Sequence, residues 1–135
     1  MTSYSIDHFV LTVHNLDRTC RFYEQVLHIP VVTFGAGRKA LQLGNQKINL
    51  HELESPFSPH AQRPTSGSAD FCLMVDTPVD VLMNHLTEQA VPVLEGPVER
   101  TGAQGRLLSI YIRDPDGNLI ELANDLSASE VSPGT

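Results

Sequence analysis

His8, His51, Asp70 and Glu121 are the residues of this sequence whose types suit them to hold a metal ion together. Imidazole nitrogen and carboxylate oxygen form the donor set that borderline and hard divalent cations accept. Each residue also has an ordinary reading. A single strand histidine or glutamate is usually solvated or satisfied in the core, and Asp70 also suits a cap of the Ser66-Gly67-Ser68 turn. Glu121 is the sharpest of the four, because it falls in mid-strand between apolar neighbours, where a carboxylate is expensive without a partner. A bound cation would offset that penalty for both acids.

The stretch Asp114-Pro115-Asp116-Gly117 positions Glu121. Pro presets φ, the aspartates cap local N–H groups and Gly takes the positive φ, so the four residues make a turn. Runs rich in Ile, Leu and Tyr flank it at 107–113 and 118–123, which predicts a β-hairpin. Period-2 alternation places Ile120 and Leu122 on one face and Leu119, Glu121 and Ala123 on the other.

Earlier in the chain, residues 5–13 predict a strand, and Asn15 and Asp17 are N-cap candidates. Leu16, Cys20, Tyr23 and Leu27 then recur at helical spacing, the mark of an amphipathic helix. Strands follow at 31–34, 39–43 and 46–52, separated by turns at Gly35-Ala36-Gly37 and Gly44-Asn45. Residues 53–67 hold three prolines and no periodicity, which predicts a connector. The order then restarts: residues 70–75 echo residues 8–13, 62 positions on. Pro78 suits the first turn of a helix, and Val79, Leu82, Met83, Leu86 and Ala90 supply its apolar face. Three more strands are expected at 91–98, 107–113 and 118–123. The polar, Gly-rich residues 99–105 predict a mobile loop, with 100–106 a candidate lid. Residues 125–135 read as a disordered tail.

Two β-α-β-β-β modules, 5–52 and 68–124, thus make one α+β domain. One such unit cannot bury both faces of its small sheet alone. Two side by side can, as an open eight-stranded cup with helices outside. Matching parity aims His8, His51, Asp70 and Glu121 into the concavity, together with Ser109, Tyr111 and Arg113. Arg113 or Arg100 is placed to hold an anionic group, against the plainer reading of a solvated arginine.

Composition excludes several classes. At 135 residues and 41% hydrophobic, the chain makes one domain with a real core, and its net charge of −7 argues against nucleic acid and anionic membranes as partners. No apolar run approaches the ~20 residues that span a bilayer. The first residues lack the basic and apolar regions of a signal peptide. Cys20 and Cys72 form no disulfide framework and read as buried small residues in a reducing cytoplasm. His14, His28, His60 and His85 fall on a loop, a helix end, the connector and the outer helix, and rank lower as ligands. No Ser-His-Asp device or phosphate-binding Gly motif is present.

Three segments carry a resemblance: Ile6-Asp-His8; Leu16-Asp-Arg-Thr-Cys-Arg-Phe-Tyr23 with Val26-Leu27; and Tyr111-Ile-Arg-Asp-Pro-Asp-Gly-Asn-Leu-Ile-Glu121. Over residues 5–124 the chain resembles the vicinal oxygen chelate superfamily of glyoxalase I, extradiol dioxygenases, fosfomycin-resistance transferases and bleomycin-binding proteins. Residues 46–51 and 96–103 are similar to the small glyoxalase-domain subgroup labelled biphenyl-2,3-diol dioxygenase III-related. The resemblance implies paired modules, a small-molecule substrate, a divalent ion (Ni, Zn, Mn or Fe) and a homodimer. It sets His8 and Glu121 on the family's first-strand and last-strand ligands. Where the second module usually offers His, this chain has Asp70. The glyoxalase I acid of the first module falls nearest Asn49, with His51 two residues on at the same parity. His51 is the preferred ligand, since imidazole outbinds an amide and a bulge or register shift would bring it in; Asn49 is the alternative.

The implied activity is that of a glyoxalase I-like lyase, with Glu121 shuttling a proton between neighbouring carbons. A His8, His51, Glu121 set without Asp70 implies instead an Fe(II) dioxygenase that opens catechols. A third alternative is a cup that binds a drug or other small molecule without catalysis.

Overall fold

A computed structural model describes residues 2–127. Its elements are β1 (His8–Val13), α1 (Leu16–Gln25), β2 (Val31–Phe34), β3 (Arg38–Leu43), β4 (Gln46–Glu52), β5 (Asp70–Met74), α2 (Val79–Glu88), β6 (Glu95–Thr101), β7 (Arg106–Arg113) and β8 (Leu119–Asp125). The fold is α+β, built from two β-α-β-β-β modules. Two four-stranded sheets result, ordered β1-β4-β3-β2 and β5-β8-β7-β6. In each, the first strand runs parallel to the last and the remaining pairs are antiparallel. Two compact units divide the chain: the first runs to Ala69 and includes Pro115–Asn118; the second comprises Asp70–Asp114 and continues from Leu119.

In the first unit, one face of the sheet is apolar. Leu11 and Val13 of β1 lie beside Leu50 and Ile48 of β4, all 2% exposed or less, and the α1 residues Thr19 and Tyr23 are fully buried with them. Burying each such side chain contributes about 1.5–3 kcal/mol. Asn15 caps α1, its side chain accepting from Arg18 N at 2.9 Å. The buried helical stripe is centred on Thr19, Tyr23 and Val26, with Leu16, Cys20 and Leu27 half-buried at its margins. The sequence pattern passes over Thr19 because its hydroxyl makes it look polar, although its small branched side chain suits close packing.

The Asp-Pro-Asp-Gly turn belongs to this unit, although the strands on both sides of it lie in the other. Asp116 reaches across the unit: its Oδ1 accepts from the backbone N of His14, 102 residues away, and lies 3.7 Å from Arg18 Nη2. Asn118 Oδ1 likewise accepts from Ala69 N. Gly67 permits the approach, since it has φ +78° and a Cβ there would meet the Asp116 carbonyl oxygen at 2.6 Å.

In the second unit Ile110, Ile112, Ile120 and Leu122 form the apolar face, with Val79 and Leu86 of α2 buried in the same core. Pro78 sits at the N-cap and makes no side-chain cap bond. Asn124 takes over that role: Oδ1 accepts from Val79 N, while Nδ2 donates to the carbonyls of Val75 and Thr77 at 2.9 and 2.8 Å.

Three boundaries differ from expectation. β1 begins at His8, paired with Lys47, while Asp7 and Ile6 before it only accept single bonds from Lys47 N and the Gln46 side chain. β8 extends to Asp125, and Leu126 N still bonds to Arg106 O, where a tail was expected from 125; residues 128–135 lie outside the described residues. Finally, β6 spans Glu95–Thr101 and not 91–98. A register shift between Glu95 and Val98 displaces the pairing, and an edge strand tolerates the charges of Glu99 and Arg100. The expected lid therefore has strand at both ends, Arg100 and Thr101 on one side and Arg106 on the other, and only 102–105 lie outside the strands.

Replacing Asn124 by Ala removes the acceptor of the α2 N-terminus and two donors at once. Thermal unfolding should show a loss of about 1–3 kcal/mol, whereas Asn45→Ala, in an exposed turn, should shift stability by about 0.5 kcal/mol or less.

Candidate functional site

Alternation that buries Leu11, Val13, Ile48 and Leu50 on one side of the first sheet turns His8, Val10 and Thr12, with Lys47, Asn49 and His51, to the other. Register aligns these in pairs: His8 with Lys47, Val10 with Asn49, Thr12 with His51. His8 is exposed, and its Nδ1 donates to Asp7 Oδ1 at 2.7 Å. That bond sets the tautomer and leaves the lone pair on Nε2, the arrangement through which metal-ligating histidines are commonly oriented by a carboxylate. Asn49 is 6% exposed, and its Oδ1 has no hydrogen-bond partner among the described residues. A buried, unmatched acceptor costs about 1–3 kcal/mol, so this oxygen awaits a donor or a cation.

His51 is different. It is 3% exposed, its ring stands edge-on to Phe57, and its Nε2 lies 3.3 Å from Arg38 Nη2. A guanidinium only donates, so Nε2 accepts and the ring proton sits on Nδ1. Burial, then Arg38, then His60 push the His51 pKa below its ordinary value, which keeps the ring neutral. Arg38 is held there by the hairpin. Gly35-Ala36-Gly37 sets Phe34 opposite Arg38, and β3 brings Arg38 one step beyond the Lys39–Leu50 pair, next to His51. Its guanidinium carbon lies 5.0 Å from the Phe34 centroid and 4.5 Å from that of Phe57, and Lys47 Nζ stands 3.5 Å from the Phe34 centroid. A cation would have to displace Arg38 to reach Nε2 and would then face a fixed positive charge. At Nε2, then, His51 meets Arg38, an arrangement at odds with the ligand role expected from its residue type and parity.

Beside His51 lies a cavity of about 460 Å³. Val10, Thr12 and His51 line it from the sheet, and Pro59, His60 and Pro64 from the segment that follows β4. Phe57, Pro59, His60 and Pro64 all come from the stretch read as a plain connector. Arg38 and the connector were missed because neither shows periodicity or a ligand spacing; the Gly-x-Gly turn between Phe34 and Arg38 was the available signal.

In the second unit the face away from the apolar core carries Asp70, Cys72, Ser109, Tyr111, Arg113 and Glu121. Tyr111 pairs with Glu121, Cys72 with Glu121, Asp70 with Leu119, and Arg113 with Leu119. Ser109, fully buried, donates from Oγ to Glu121 Oε2 at 2.6 Å. Among the described residues Glu121 forms no ion pair. Asp70 is exposed at the start of β5. Cys72 is exposed as well, not buried as its residue type implied; partial desolvation first, and then the Glu121 charge, push its thiol pKa up to about 11. Arg100 is already engaged, donating from Nε to the Tyr111 hydroxyl at 3.0 Å and from Nη2 to Glu95 Oε2 at 2.8 Å. These bonds raise its pKa further, and Glu95 neutralises the charge an anionic substrate would need.

The structure thus groups His8, Asn49 and His51 on one sheet, and Asp70, Arg100, Ser109, Tyr111, Arg113 and Glu121 on the other. Among the described residues, no group of three or more His, Cys, Asp or Glu side chains is close enough to hold a metal ion. Taken singly, His8 is an imidazole with one nitrogen tied to a carboxylate and Glu121 is a carboxylate held by one hydroxyl, each a donor type that divalent ions accept. No helix among the described residues is long and apolar enough to cross a membrane.

Comparison with known proteins places these features in context. The description of the Glyoxalase/Bleomycin resistance protein/Dioxygenase superfamily matches residues 5–122. Virulence protein STM3117 of Salmonella typhimurium is 55% identical over 118 residues, covering 87% of this chain and 82% of that protein. Its crystal structure superposes with a TM-score of 0.88, covering 92% and 98% of the two chains. The glyoxalase domain-containing protein RDO1 of Mycosarcoma maydis is 51% identical, covering 89% and 68%. A lactoylglutathione lyase from Agrobacterium tumefaciens, 23% identical, shares the fold at a TM-score of 0.70 over 91% and 95% of the chains.

Because the His51 pKa is lowered by folding, the unfolded chain takes up a proton near pH 6.5 while the folded ring resists it. Stability from this group is present above about pH 6.5 and falls as the solution is acidified below it. The difference in unfolding free energy between the parent protein and His51→Gln should therefore shrink as pH is lowered from about 7.5 to 5, measured by denaturant titration at each pH.

Proposed function

We propose that this chain, which belongs to the Glyoxalase/Bleomycin resistance protein/Dioxygenase superfamily, is a divalent-metal-dependent, glyoxalase I-like lyase acting on a small molecule with two adjacent oxygens. The observation that carries this reading is the Ser109–Glu121 bond at 2.6 Å. It fixes Oε2 of a mid-strand carboxylate that has no ion-pair partner among the described residues and leaves Oε1 to act. His8 Nε2 and Glu121 are the donors that would hold the ion, with Asn49 Oδ1 or Asp70 completing the set. When bound, a divalent ion supplies electrostatic stabilisation for the negative charge that develops on adjacent substrate oxygens.

The residues of the chain do the rest. Glu121 Oε1 takes a proton from a carbon next to a carbonyl and returns it to the neighbouring carbon. Ser109 holds the carboxylate so that both transfers start from one geometry. Asp7 keeps the His8 proton on Nδ1.

The dioxygenase alternative requires His51 Nε2 as the second imidazole donor, and Arg38 already uses it. The lyase reading makes no such demand, and on this ground it is preferred.

A chelator-treated protein reloaded with Ni, Zn, Mn or Fe tests the reading, with the hemithioacetal of methylglyoxal and glutathione as substrate. One ion should bind per chain, and Glu121→Gln should lower kcat by about a hundredfold or more, with His8→Ala weakening metal binding. Turnover that survives both substitutions, or the lack of any stoichiometric ion, would overturn it.

A further inference from the structure

The structure assigns a second task to the first unit: we propose that the cavity beside His51 binds a small organic carboxylate with an apolar body, through the His51 Nδ1–H donor backed by Arg38. The binding goes beyond the lyase reading and itself requires no metal.

The geometry carries the inference. Arg38 lies between Phe34 and Phe57 and donates to His51 Nε2 at 3.3 Å. Because Nε2 accepts, the neutral ring carries its proton on Nδ1, and no group among the described residues hydrogen-bonds to that atom. His51 lines the cavity. A guanidinium donating into one side of an imidazole polarises the N–H on the other side, so the donor is stronger than an isolated neutral one. Phe34 and Phe57 fix the guanidinium without neutralising it, since a π face attracts the cation but leaves its charge in place. Arg38 forms no ion pair among the described residues, and the Arg38 Nε is buried without a partner. Lys47 adds a second positive charge on the same Phe34 ring.

No carboxylate lines the cavity, in a chain whose net charge is −7. Its walls are Val10, Pro59, Ala61 and Pro64, and its volume of about 460 Å³ suits a small ring or branched chain. Among the lining groups the His51 N–H and the Thr12 hydroxyl are donors, His60 stands beside them with its Nδ1 on the Ala61 carbonyl, and a cation lies one residue behind. That arrangement matches a single negative charge spread over two oxygens. A phosphate monoester, with nearly two charges to desolvate, needs cationic donors in direct contact.

The test uses the full chain after chelator treatment, with benzoate as probe and benzamide and phenyl phosphate as comparisons, read by calorimetry and by nitrogen chemical shifts of the imidazoles. Benzoate should bind saturably and shift the His51 Nδ1 signal, with benzamide and phenyl phosphate each about tenfold weaker or worse. Arg38→Met, which keeps an apolar chain between the two rings, should weaken benzoate about tenfold while the protein stays folded. His51→Phe should lose the preference for benzoate over benzamide; should that variant not fold, the ratio of benzoate to benzamide in the parent protein still decides the matter. Equal binding of benzoate and benzamide, tighter binding of phenyl phosphate, or unchanged affinity in Arg38→Met would overturn the inference. These outcomes are separate from the lyase test, because loss of metal binding at His8 and Glu121 leaves benzoate affinity intact, and loss of benzoate affinity leaves metal uptake intact.

Discussion

In each module the first strand pairs in parallel with the last, β1 with β4 and β5 with β8. A parallel pair needs a long crossover, and the helix with its two following strands provides it. With that pairing in place, one parity of each central strand faces the helix and becomes apolar core, and the other parity has to carry whatever else the protein needs. Ile48 and Leu50 go to the core; Asn49 and His51 do not. Ile120 and Leu122 go to the core; Glu121 does not. A one-residue slip would exchange these sets and put a histidine and a glutamate into the packed layer. Register is thus held by the hydrophobic face, and the polar chemistry depends on it.

The polar residues so placed settle into different electrostatic situations. His8 and Glu121 each keep one donor atom uncommitted, because a single neighbour, Asp7 or Ser109, takes the other. His51 loses its availability to a cation because Arg38 reaches it first. Arg100 loses its availability to an anion because Glu95 and Tyr111 reach it first. In all four cases a cross-strand or sequence neighbour decides the role, and the distances of 2.6–3.3 Å are short enough for direct hydrogen bonding. Residue type named the candidates, and partners determine which of them is left with chemistry to do.

Much of this was legible beforehand. Period-2 runs, the Asn15 cap, the Gly-bearing turns and the restart at Asp70 are local signals, and each depends on residues a few positions apart. They yielded the order of elements, the repeat and the parity of His8, His51 and Glu121. The connector was legible as irregular chain, but not as a lining of the cavity beside His51, because Pro-rich segments without periodicity look alike whatever they pack against. β6 misled for a related reason: charged residues at a sheet edge resemble a loop when read in isolation. Asn124 gave no sign of holding the start of α2, since its partners lie 45 to 49 positions away.

By itself the sequence determined the α+β class, the duplicated module and the face on which each candidate residue stands, because these follow from alternation and turn chemistry along a few consecutive residues. Tertiary structure alone decided that Arg38 stacks on Phe34 and Phe57 and takes His51 Nε2, that Asp116 reaches back to His14, and that Ser109 holds Glu121. Those are contacts between residues distant in the chain, made when sheet pairing and loop closure bring their side chains within hydrogen-bonding range. No pattern of neighbours along the sequence encodes which of several charged groups will arrive first.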